Sequence, residues 1–285
     1  MKAIIFGLGS IGKRHMRLLL DYFPEVEVWH YNRGDYYKEI GPCYEKLVDR
    51  CRWDVLPLKL SQDDFAIISN PTGSHLSTAL PIAEMGVHFL MEKPLGLNTQ
   101  GLSHLISVVK AKNLTARVAY PLRYHPIVKH LKTIPPAGKF HFECRSDASK
   151  WPSARKLDHV VLELSHEIDL AQYLLGPVRQ ITGESDGVFA SLVLKHDHAV
   201  STAYLNLNSA DEARFVRIDN HEYPIQVNDF LYIAQLSHII TKPESNLEEA
   251  GGLLRVMEEF IERATRREQP MAFERANRRE KPKDV

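Results

Sequence analysis

The first 120 residues alternate between short apolar runs and longer stretches whose apolar residues recur at helical spacing. The runs that predict strands are Ala3–Phe6, Glu25–Tyr31, Phe65–Ser69, Val87–Met91 and Thr115–Ala119. Between them, helical spacing occurs at 12–22, 74–85 and 99–112. Continuous apolar runs are typical of strands buried on both faces of a parallel sheet. This order of strands and helices predicts a doubly wound parallel sheet, a Rossmann domain, with helices on both faces.

Beyond residue 120 the pattern changes to strands that follow one another without intervening helices. These strands are predicted at Phe140–Arg145, Val188–Lys195, Ala199–Leu207 and Arg214–Ile218. Such a succession is typical of an antiparallel sheet. Two helices are predicted, at 158–175 and 247–266. The sequence thus predicts an α/β domain at 1–120 and an α+β domain at 121–285, whose charged, turn-rich end at 267–285 is expected to be a flexible tail.

Composition narrows the classes of function. The 285 residues carry 36 Lys and Arg against 36 Asp and Glu, and this neutral balance disfavours a general nucleic-acid binder. Three cysteines without a C-x-x-C pair disfavour a disulfide framework or a zinc site, so no metal is expected. The first apolar stretch is short for a signal peptide, and no segment has transmembrane length. We therefore expect a soluble cytoplasmic protein that does not act at a membrane.

A glycine cluster, Gly-Leu-Gly-Ser-Ile-Gly, follows the first predicted strand and matches the full G-x-G-x-x-G pattern. Gly7 permits a tight turn, Gly9 lets the backbone approach a pyrophosphate, and Gly12 allows close helix–strand packing. Ser10 and Ile11 lie in the loop that leads into the predicted helix, whose terminal amides and partial positive charge favour phosphate. The cluster predicts a dinucleotide site; the alternative is a glycine-rich turn without a ligand.

The end of the second predicted strand bears on the choice of cofactor. Rossmann proteins that prefer NAD usually carry an acidic residue here, which binds the ribose 2′-hydroxyl. This chain has Asn32 and Arg33 instead. Neither side chain repels a 2′-phosphate, and a guanidinium can hold one with two hydrogen bonds. We therefore expect NADP(H) to be favoured over NAD(H), the alternative being that Arg33 points into water.

Further motifs follow in order along the chain. They are Asn70-Pro71-Thr72-Gly73-Ser74-His75, the segment 86–95 with Glu92-Lys93-Pro94, the segment 120–126, and the segment 163–170 with His166 and Asp169. With the glycine loop, they resemble the glucose-fructose oxidoreductase, inositol dehydrogenase and rhizopine-catabolism (Gfo/Idh/MocA) family of sugar dehydrogenases. The resemblance extends over nearly the whole chain.

The resemblance implies roles for particular residues. Lys93 is expected to hydrogen-bond the reacting substrate oxygen, His166 to carry the proton, and Asp169 to bind substrate hydroxyls or to tune the pair. The remaining cofactor contacts that the resemblance implies, beyond the glycine loop, are Asn70, Pro71, Thr72, His75, Glu92 and Lys93. Relatives often form a subunit interface through the open face of the second sheet, so a homo-oligomer, a dimer or tetramer, is expected.

The same residues make chemical sense without the family. Alcohol oxidation needs a base for the hydroxyl proton, and reduction needs the same group as an acid. Lys93 follows a parallel strand, beyond whose carboxyl end ligands bind. Glu163, His166 and Asp169 recur at helical spacing and are expected to share one face, towards the substrate. The alternatives are a surface lysine and an ordinary solvated helix face.

Three further side chains are weaker candidates for substrate binding. Arg123 is a candidate partner for an anionic group, the alternative being an ion pair between the domains. Tyr124 lies beside it. Trp151 is a candidate cover for a sugar face, the alternative being core packing.

Together these features predict an NAD(P)-dependent dehydrogenase or reductase. It would transfer a hydride between nicotinamide and a hydroxyl or ketone carbon of a sugar, nucleotide sugar or cyclitol, within carbohydrate metabolism. One alternative is a reductase of an imine or a conjugated double bond on the same fold. The other is a non-catalytic dinucleotide-sensing protein, against which the retention of both Lys93 and His166 argues.

Overall fold

The computed structural model describes residues 1–31, 60–150, 159–241 and 244–279. The chain divides into two compact units, the first made of 1–135 and 225–254, the second of 136–224 and 255–285. The sequence predicts a single boundary at residue 120 instead. The segments 121–135 and 225–254 belong with the first unit. A helix from 225–254 completes the core of this unit.

The elements of the first 135 residues follow the predicted order of strands and helices. They are β1 (Lys2–Phe6), α1 (Ser10–Tyr22), β2 (Glu27–Tyr31), β3 (Phe65–Ile68), α2 (His75–Glu84), β4 (His88–Met91), α3 (Leu102–Ala111), β5 (Ala116–Val118) and α4 (Pro126–Thr133). Short 3₁₀ turns at Thr72–Ser74 and Pro121–Tyr124 lie between them.

The rest of the described chain contains six more strands and four more helices. They are β6 (Phe140–Asp147), α5 (Val160–Glu163), α6 (Ser165–Leu175), β7 (Val178–Ser185), β8 (Phe189–His196), β9 (Val200–Asn206), β10 (Asn208–Ile218), β11 (His221–Pro224), α7 (Asp229–Thr241) and α8 (Leu247–Arg279). The sequence pattern missed β7, β11, α4 and α7.

The first unit is built on a parallel sheet of strand order β2-β1-β3-β4-β5. Every residue of β3 and β5 is buried, as expected for strands covered on both faces. The Rossmann fold predicted from the apolar runs is confirmed. Because the strands are parallel, the segments that follow β1, β3 and β4 leave the sheet at one edge.

Helix α7 packs on α1 and closes the core of the first unit. Tyr232, Leu236 and Ile239 are buried with Met16 and Leu19 of α1. At the start of α7, Asp229 accepts a hydrogen bond from Nη2 of Arg17 at 2.6 Å. This packing explains why 225–254 belongs with the first unit although it comes after the second sheet in sequence.

The second unit contains a mixed sheet of order β11-β10-β6-β9-β8-β7. Strands β6 and β9 run parallel and the other neighbours antiparallel, which confirms the predicted, mostly antiparallel sheet. On β6, Phe140, Phe142 and Cys144 are buried and alternate with half-exposed residues. Helices α5 and α6 pack on strands of this sheet.

Two helix boundaries differ from the sequence expectation. The helix predicted at 158–175 is interrupted at Leu164, whose φ of −100° and ψ of 36° lie outside the helical range. A one-residue departure leaves the spacing of the apolar residues nearly intact, so periodicity does not reveal it. Helix α8 runs to Arg279 rather than ending at 266, and it covers much of the segment that was expected to be a tail.

None of the helices in the described ranges combines the necessary length with sufficient apolar character to cross a bilayer.

Candidate functional site

The glycine loop between β1 and α1 has the geometry that its sequence predicts. Gly7 has a φ of +97°, which favours glycine, and a Cβ there would lie 2.5 Å from the backbone nitrogen of Asn70. A Cβ on Gly12 would overlap the carbonyl oxygen of Gly7. Ser69 reinforces this contact, because its hydroxyl donates to the Gly7 carbonyl at 2.8 Å. The loop is therefore packed tightly against the segment that follows β3.

Gly9 has a different environment from the other two glycines. A Cβ built on Gly9 would meet no atom within 4 Å, so the space in front of the backbone is open. Gly9 precedes the first turn of α1, where the amides of Ser10, Ile11 and Gly12 lack intrahelical partners. An open space before orphan amides and a positive helix end fits an anionic group such as a pyrophosphate.

Asn70 lies directly beside the glycine loop, at the end of β3. Its Nδ2 donates to Oγ1 of Thr78 at 2.7 Å, which fixes the orientation of the amide. Its Oδ1 is buried and has no hydrogen-bond partner among the described residues. Buried acceptors are normally satisfied, so this oxygen is available to a donor on a ligand. Pro71 follows Asn70, and Thr72 begins the 3₁₀ turn.

The segment Glu92-Lys93-Pro94 leaves β4 at the same edge of the sheet. Glu92 is only 8% exposed, and its Oε1 lies 2.7 Å from Nε2 of His15 on α1. Its Oε2 accepts from the backbone N–H of Lys93 at 3.3 Å. Lys93 is half-exposed, and its bond to Pro94 is cis. Both carboxylate oxygens of Glu92 therefore bond to protein groups, and a direct cofactor contact through them stays a prediction.

His75, at the start of α2, is 1% exposed. Its Nδ1 lies 2.9 Å from the carbonyl oxygen of Pro94, and its Nε2 lies 2.9 Å from that of Asn70. Burial lowers the pKa of the imidazole, and the two carbonyl groups and Glu92 only partly oppose this shift. The ring thus links two backbone segments at the sheet edge, and its expected contact with a cofactor is untested.

In the second unit, the break at Leu164 separates the predicted polar face into two parts. Glu163 ends α5, whereas His166 and Asp169 lie on α6. Glu163 and His166 are half-exposed, but Asp169 is only 1% exposed. This burial rules out an ordinary solvated helix face for Asp169. The two residues on α6, three positions apart, do share a face, as predicted.

A buried ion pair holds α6 on the sheet, and the sequence pattern did not indicate it. Glu167 is 1% exposed, and its Oε1 accepts from Nε of Arg214 on β10 at 2.7 Å. Nη2 of Arg214 also lies 3.3 Å from the Sγ of Cys144. Burial alone would lower the pKa of Arg214, but Glu167 and Cys144 raise it above its ordinary value. Only the sheet register places Arg214 beside a helix residue 47 positions away.

Arg123 forms an ion pair in the structure. Its two Nη atoms donate to both carboxylate oxygens of Glu249, at 2.8 and 3.1 Å. Both residues belong to the first unit, so this is not the pair between domains that the sequence suggested as an alternative. The ring of Tyr124 makes an edge contact with His238, at 5.7 Å between ring centroids. The pair with Glu249 gives the Arg123 guanidinium a structural role that does not require a substrate.

Three residues with predicted roles lie outside the described ranges: Asn32 and Arg33 after β2, and Trp151 before α5. Within those ranges, His, Cys, Asp and Glu side chains do not gather in a group of three that suits a metal ion.

The comparison with family models finds a match for the first 120 of the 285 residues. Residues 1–120 match the family described as "Oxidoreductase family, NAD-binding Rossmann fold", which carries the name GFO_IDH_MocA. Over these residues the chain resembles the Gfo/Idh/MocA oxidoreductase family. The resemblance predicted from the motifs is thereby confirmed for residues 1–120.

Two relatives to which the chain is similar are named as a sugar-nucleotide dehydrogenase and a cyclitol dehydrogenase. UDP-N-acetylglucosamine 3-dehydrogenase of Acidithiobacillus ferrooxidans is 28% identical over 165 residues, 58% of this chain and 51% of the relative. Scyllo-inositol 2-dehydrogenase (NAD(+)) of Bacillus subtilis is 25% identical over 187 residues, 62% of this chain and 54% of the relative. The matches span about half the length of these relatives.

Solved structures of Gfo/Idh/MocA type share the fold over most of the chain. Myo-inositol 2-dehydrogenase from Lactobacillus plantarum has a TM-score of 0.77 at 17% identity, over 93% of this chain and 97% of its own. The WlbA (WbpB) dehydrogenase from Thermus thermophilus, in complex with NAD and UDP-GlcNAcA, has a TM-score of 0.75 at 16% identity, over 90% and 93%. Identity this low establishes the fold alone.

Proposed function

We propose that this chain is an NAD(P)-dependent dehydrogenase or reductase of the Gfo/Idh/MocA family, acting on a hydroxyl or ketone carbon. The observation that carries the proposal is the shared sheet edge of the first unit. The open backbone at Gly9, the orphan oxygen of Asn70 and the side chain of Lys93 follow β1, β3 and β4. Ligands of open α/β sheets bind beyond the carboxyl ends of the strands.

The dinucleotide would be held mainly by backbone groups. The amides of Ser10, Ile11 and Gly12 bind the pyrophosphate in front of Gly9. Asn70, Pro71 and Thr72 would contact the cofactor as well, with the free Oδ1 of Asn70 as an acceptor. When bound, nicotinamide supplies a hydride acceptor for oxidation or a hydride donor for reduction.

Three side chains of this chain handle the substrate in the proposed reaction. Lys93 donates a hydrogen bond to the reacting oxygen. His166 takes the hydroxyl proton as the carbon loses its hydride and the carbonyl forms, and it returns the proton in reduction. Asp169 binds neighbouring substrate hydroxyls, together with Glu163. This division of roles extends the family resemblance to the matching positions of this sequence.

The substrate is proposed to be a sugar, nucleotide sugar or cyclitol. Support comes from the names of the two characterised relatives, one acting on UDP-N-acetylglucosamine and the other on scyllo-inositol. We also propose that the protein is a cytoplasmic homo-oligomer, a dimer or tetramer, which light scattering after size-exclusion chromatography tests.

The test of the proposed function is cofactor reduction, followed by absorbance at the nicotinamide band. The purified protein is mixed with NAD⁺ or NADP⁺ and with UDP-N-acetylglucosamine, scyllo-inositol, myo-inositol or glucose. We expect turnover with at least one, and Lys93→Met and His166→Ala should lower kcat by at least about 100-fold. A matched control is His198→Ala, at an exposed histidine of the second unit.

Three outcomes would contradict the proposal. Cofactor binding without turnover of any substrate would favour the sensing protein. Turnover of imines or conjugated double bonds alone would favour the other reductase. Near-normal kcat in both the Lys93 and the His166 variants would contradict their proposed roles.

We further propose a preference for NADP(H), which rests on Asn32 and Arg33 at the end of the second strand. Without a carboxylate there, a 2′-phosphate meets no repulsion, and Arg33 can bind it. The measurement is kcat/KM with NADPH against NADH, and Arg33→Ala should remove most of the difference. A preference of the unmodified protein for NADH would contradict this proposal.

A further inference from the structure

Two buried histidines lie on either side of Lys93. His15 is fully buried on α1, and His75 is 1% exposed at the start of α2. Neither makes contact with the Lys93 ammonium group in the described hydrogen bonds. Instead, each is bonded to a residue next to Lys93 in sequence, His15 to Glu92 and His75 to Pro94.

The bond on the N-terminal side runs through the Glu92 carboxylate. Nε2 of His15 lies 2.7 Å from Oε1, and Oε2 accepts from the Lys93 N–H at 3.3 Å. A carboxylate only accepts, so His15 carries its proton on Nε2 in this bond. Nδ1 of His15 is buried without a partner among the described residues, so the Glu92 carboxylate is the hydrogen-bond partner of this ring there. Helix α1 thereby fixes the backbone of Lys93 from one side.

The bond on the C-terminal side runs through the Pro94 carbonyl. Nδ1 of His75 lies 2.9 Å from this carbonyl oxygen, and its Nε2 lies 2.9 Å from the carbonyl oxygen of Asn70. Since a neutral imidazole has a single N–H, it donates to one carbonyl at a time. His75 therefore connects the backbone after Lys93 to the segment whose Asn70 lies beside the glycine loop.

We propose that His15 and His75 are positioning residues, which clamp the backbone on both sides of Lys93 and so fix where its ammonium group meets the substrate oxygen. The inference rests on the proposed function of Lys93. Its physical basis is that the four-carbon side chain of lysine is flexible by itself. Any movement of the backbone would add to that freedom, so a fixed backbone narrows the range of positions that the ammonium group can reach. A displacement near 1 Å of a reacting group can cost about 100-fold in rate.

The chain offers a matched control in His88, at the opposite end of the same strand. Its Nδ1 accepts from the backbone N–H of Thr115 at 2.7 Å, so its loss also leaves a backbone group without a partner. Yet it begins β4, whereas Lys93 follows the end of β4. His88 is half-buried, whereas His15 and His75 are buried. A merely structural role for these imidazoles predicts similar effects at all three positions.

The experiment compares conservative and disruptive variants. His15→Gln keeps a donor near the Nε2 position, whereas His15→Leu removes it. His75→Asn keeps a donor near Nδ1, towards Pro94, and His75→Gln keeps one near Nε2, towards Asn70. For His15→Leu and His75→Gln we expect kcat to fall about 10- to 100-fold, with the cofactor KM within about threefold. His15→Gln and His75→Asn should recover most of the turnover, and His88→Leu should keep the unmodified kcat.

A second measurement does not depend on turnover. Hydrogen–deuterium exchange at the amides of 92–98 should rise about tenfold in His15→Leu and His75→Gln. In His88→Leu the rise should occur near Thr115 instead. Equal kcat and equal exchange in His75→Asn and His75→Gln, or unchanged exchange at 92–98 in His15→Leu, would overturn the clamp. An unmodified protein without turnover on any hydroxyl substrate would overturn the proposed function alone, and the exchange data would still decide the clamp.

Discussion

Glu167 and Arg214 form an ion pair in the second unit, with 2.7 Å between Oε1 and Nε. Glu167 lies on α6 between His166 and Asp169, and its side chain points to the sheet strand β10. The pair thus fixes the rotation of the helix that carries both proposed substrate residues. The position and the stability of α6 therefore depend on an ion pair whose Glu167 is next in sequence to His166.

Removing one partner of this pair should destabilise the second unit strongly. Arg214→Met leaves the Glu167 carboxylate buried without its charge partner, and we expect a loss of about 3–5 kcal/mol in the free energy of unfolding. Urea unfolding followed by circular dichroism measures it. The matched control is Glu222→Ala in the pair with Arg217, where both side chains are more than a third exposed and the loss should stay below about 1 kcal/mol. Similar losses in the two variants would contradict the buried pair.

The glycine loop separates a packing requirement from a binding requirement. Gly12→Ala places a Cβ against the Gly7 carbonyl and should lower both stability and cofactor affinity. Gly9→Ala meets open space, so its free energy of unfolding should stay within about 1 kcal/mol of the unmodified protein. Its affinity should nevertheless fall about tenfold or more, since the methyl group occupies the place of the pyrophosphate. Titration with NADH and NADPH by fluorescence measures the affinity, and unchanged affinity in Gly9→Ala would place the dinucleotide elsewhere.

The pair of Arg123 and Glu249 is expected to act in stability rather than in substrate binding. Both Nη atoms of Arg123 donate to carboxylate oxygens of Glu249, at 2.8 and 3.1 Å, and the Arg123 side chain is 10% exposed. Arg123→Ala and Glu249→Ala should each lower the free energy of unfolding by about 1–3 kcal/mol, with a double variant less than additive. The substrate KM should change by less than about threefold. A large rise in KM for Arg123→Ala alone would restore its role as an anion-binding residue.

Stability should decrease as the pH falls from neutral towards about pH 5. Burial lowers the pKa of five histidines below the ordinary value of 6.5: His75, His88, His125, His159 and His196. Below that value the unfolded chain binds protons that the folded chain does not, so acid favours unfolding. Above pH 6.5 these histidines are neutral in both states, and their contribution to the free energy of unfolding is fully present. Urea unfolding across this range measures the slope, and His196→Asn should flatten it; a slope of the opposite sign would contradict the buried neutral imidazoles.

The sequence by itself determined the fold class and the location of the dinucleotide loop. Buried parallel strands need continuous apolar runs, and G-x-G-x-x-G sets a backbone geometry that only glycine accepts at Gly7 and Gly12. Both features are local in sequence, so a pattern reveals them. The ordered motifs added the family resemblance for the same reason.

Only the tertiary structure decided which polar side chains hold one another. The partners of Glu92, His75, Glu167 and Arg123 lie 77, 19, 47 and 126 positions away in the chain. No spacing rule relates positions so far apart, because the register of two sheets and the return of 225–254 to the first unit bring them together. The break at Leu164 was likewise invisible, since one non-helical residue hardly disturbs a 3.6-residue period. Sequence thus specifies the backbone of the site, and long-range packing specifies how its side chains are held.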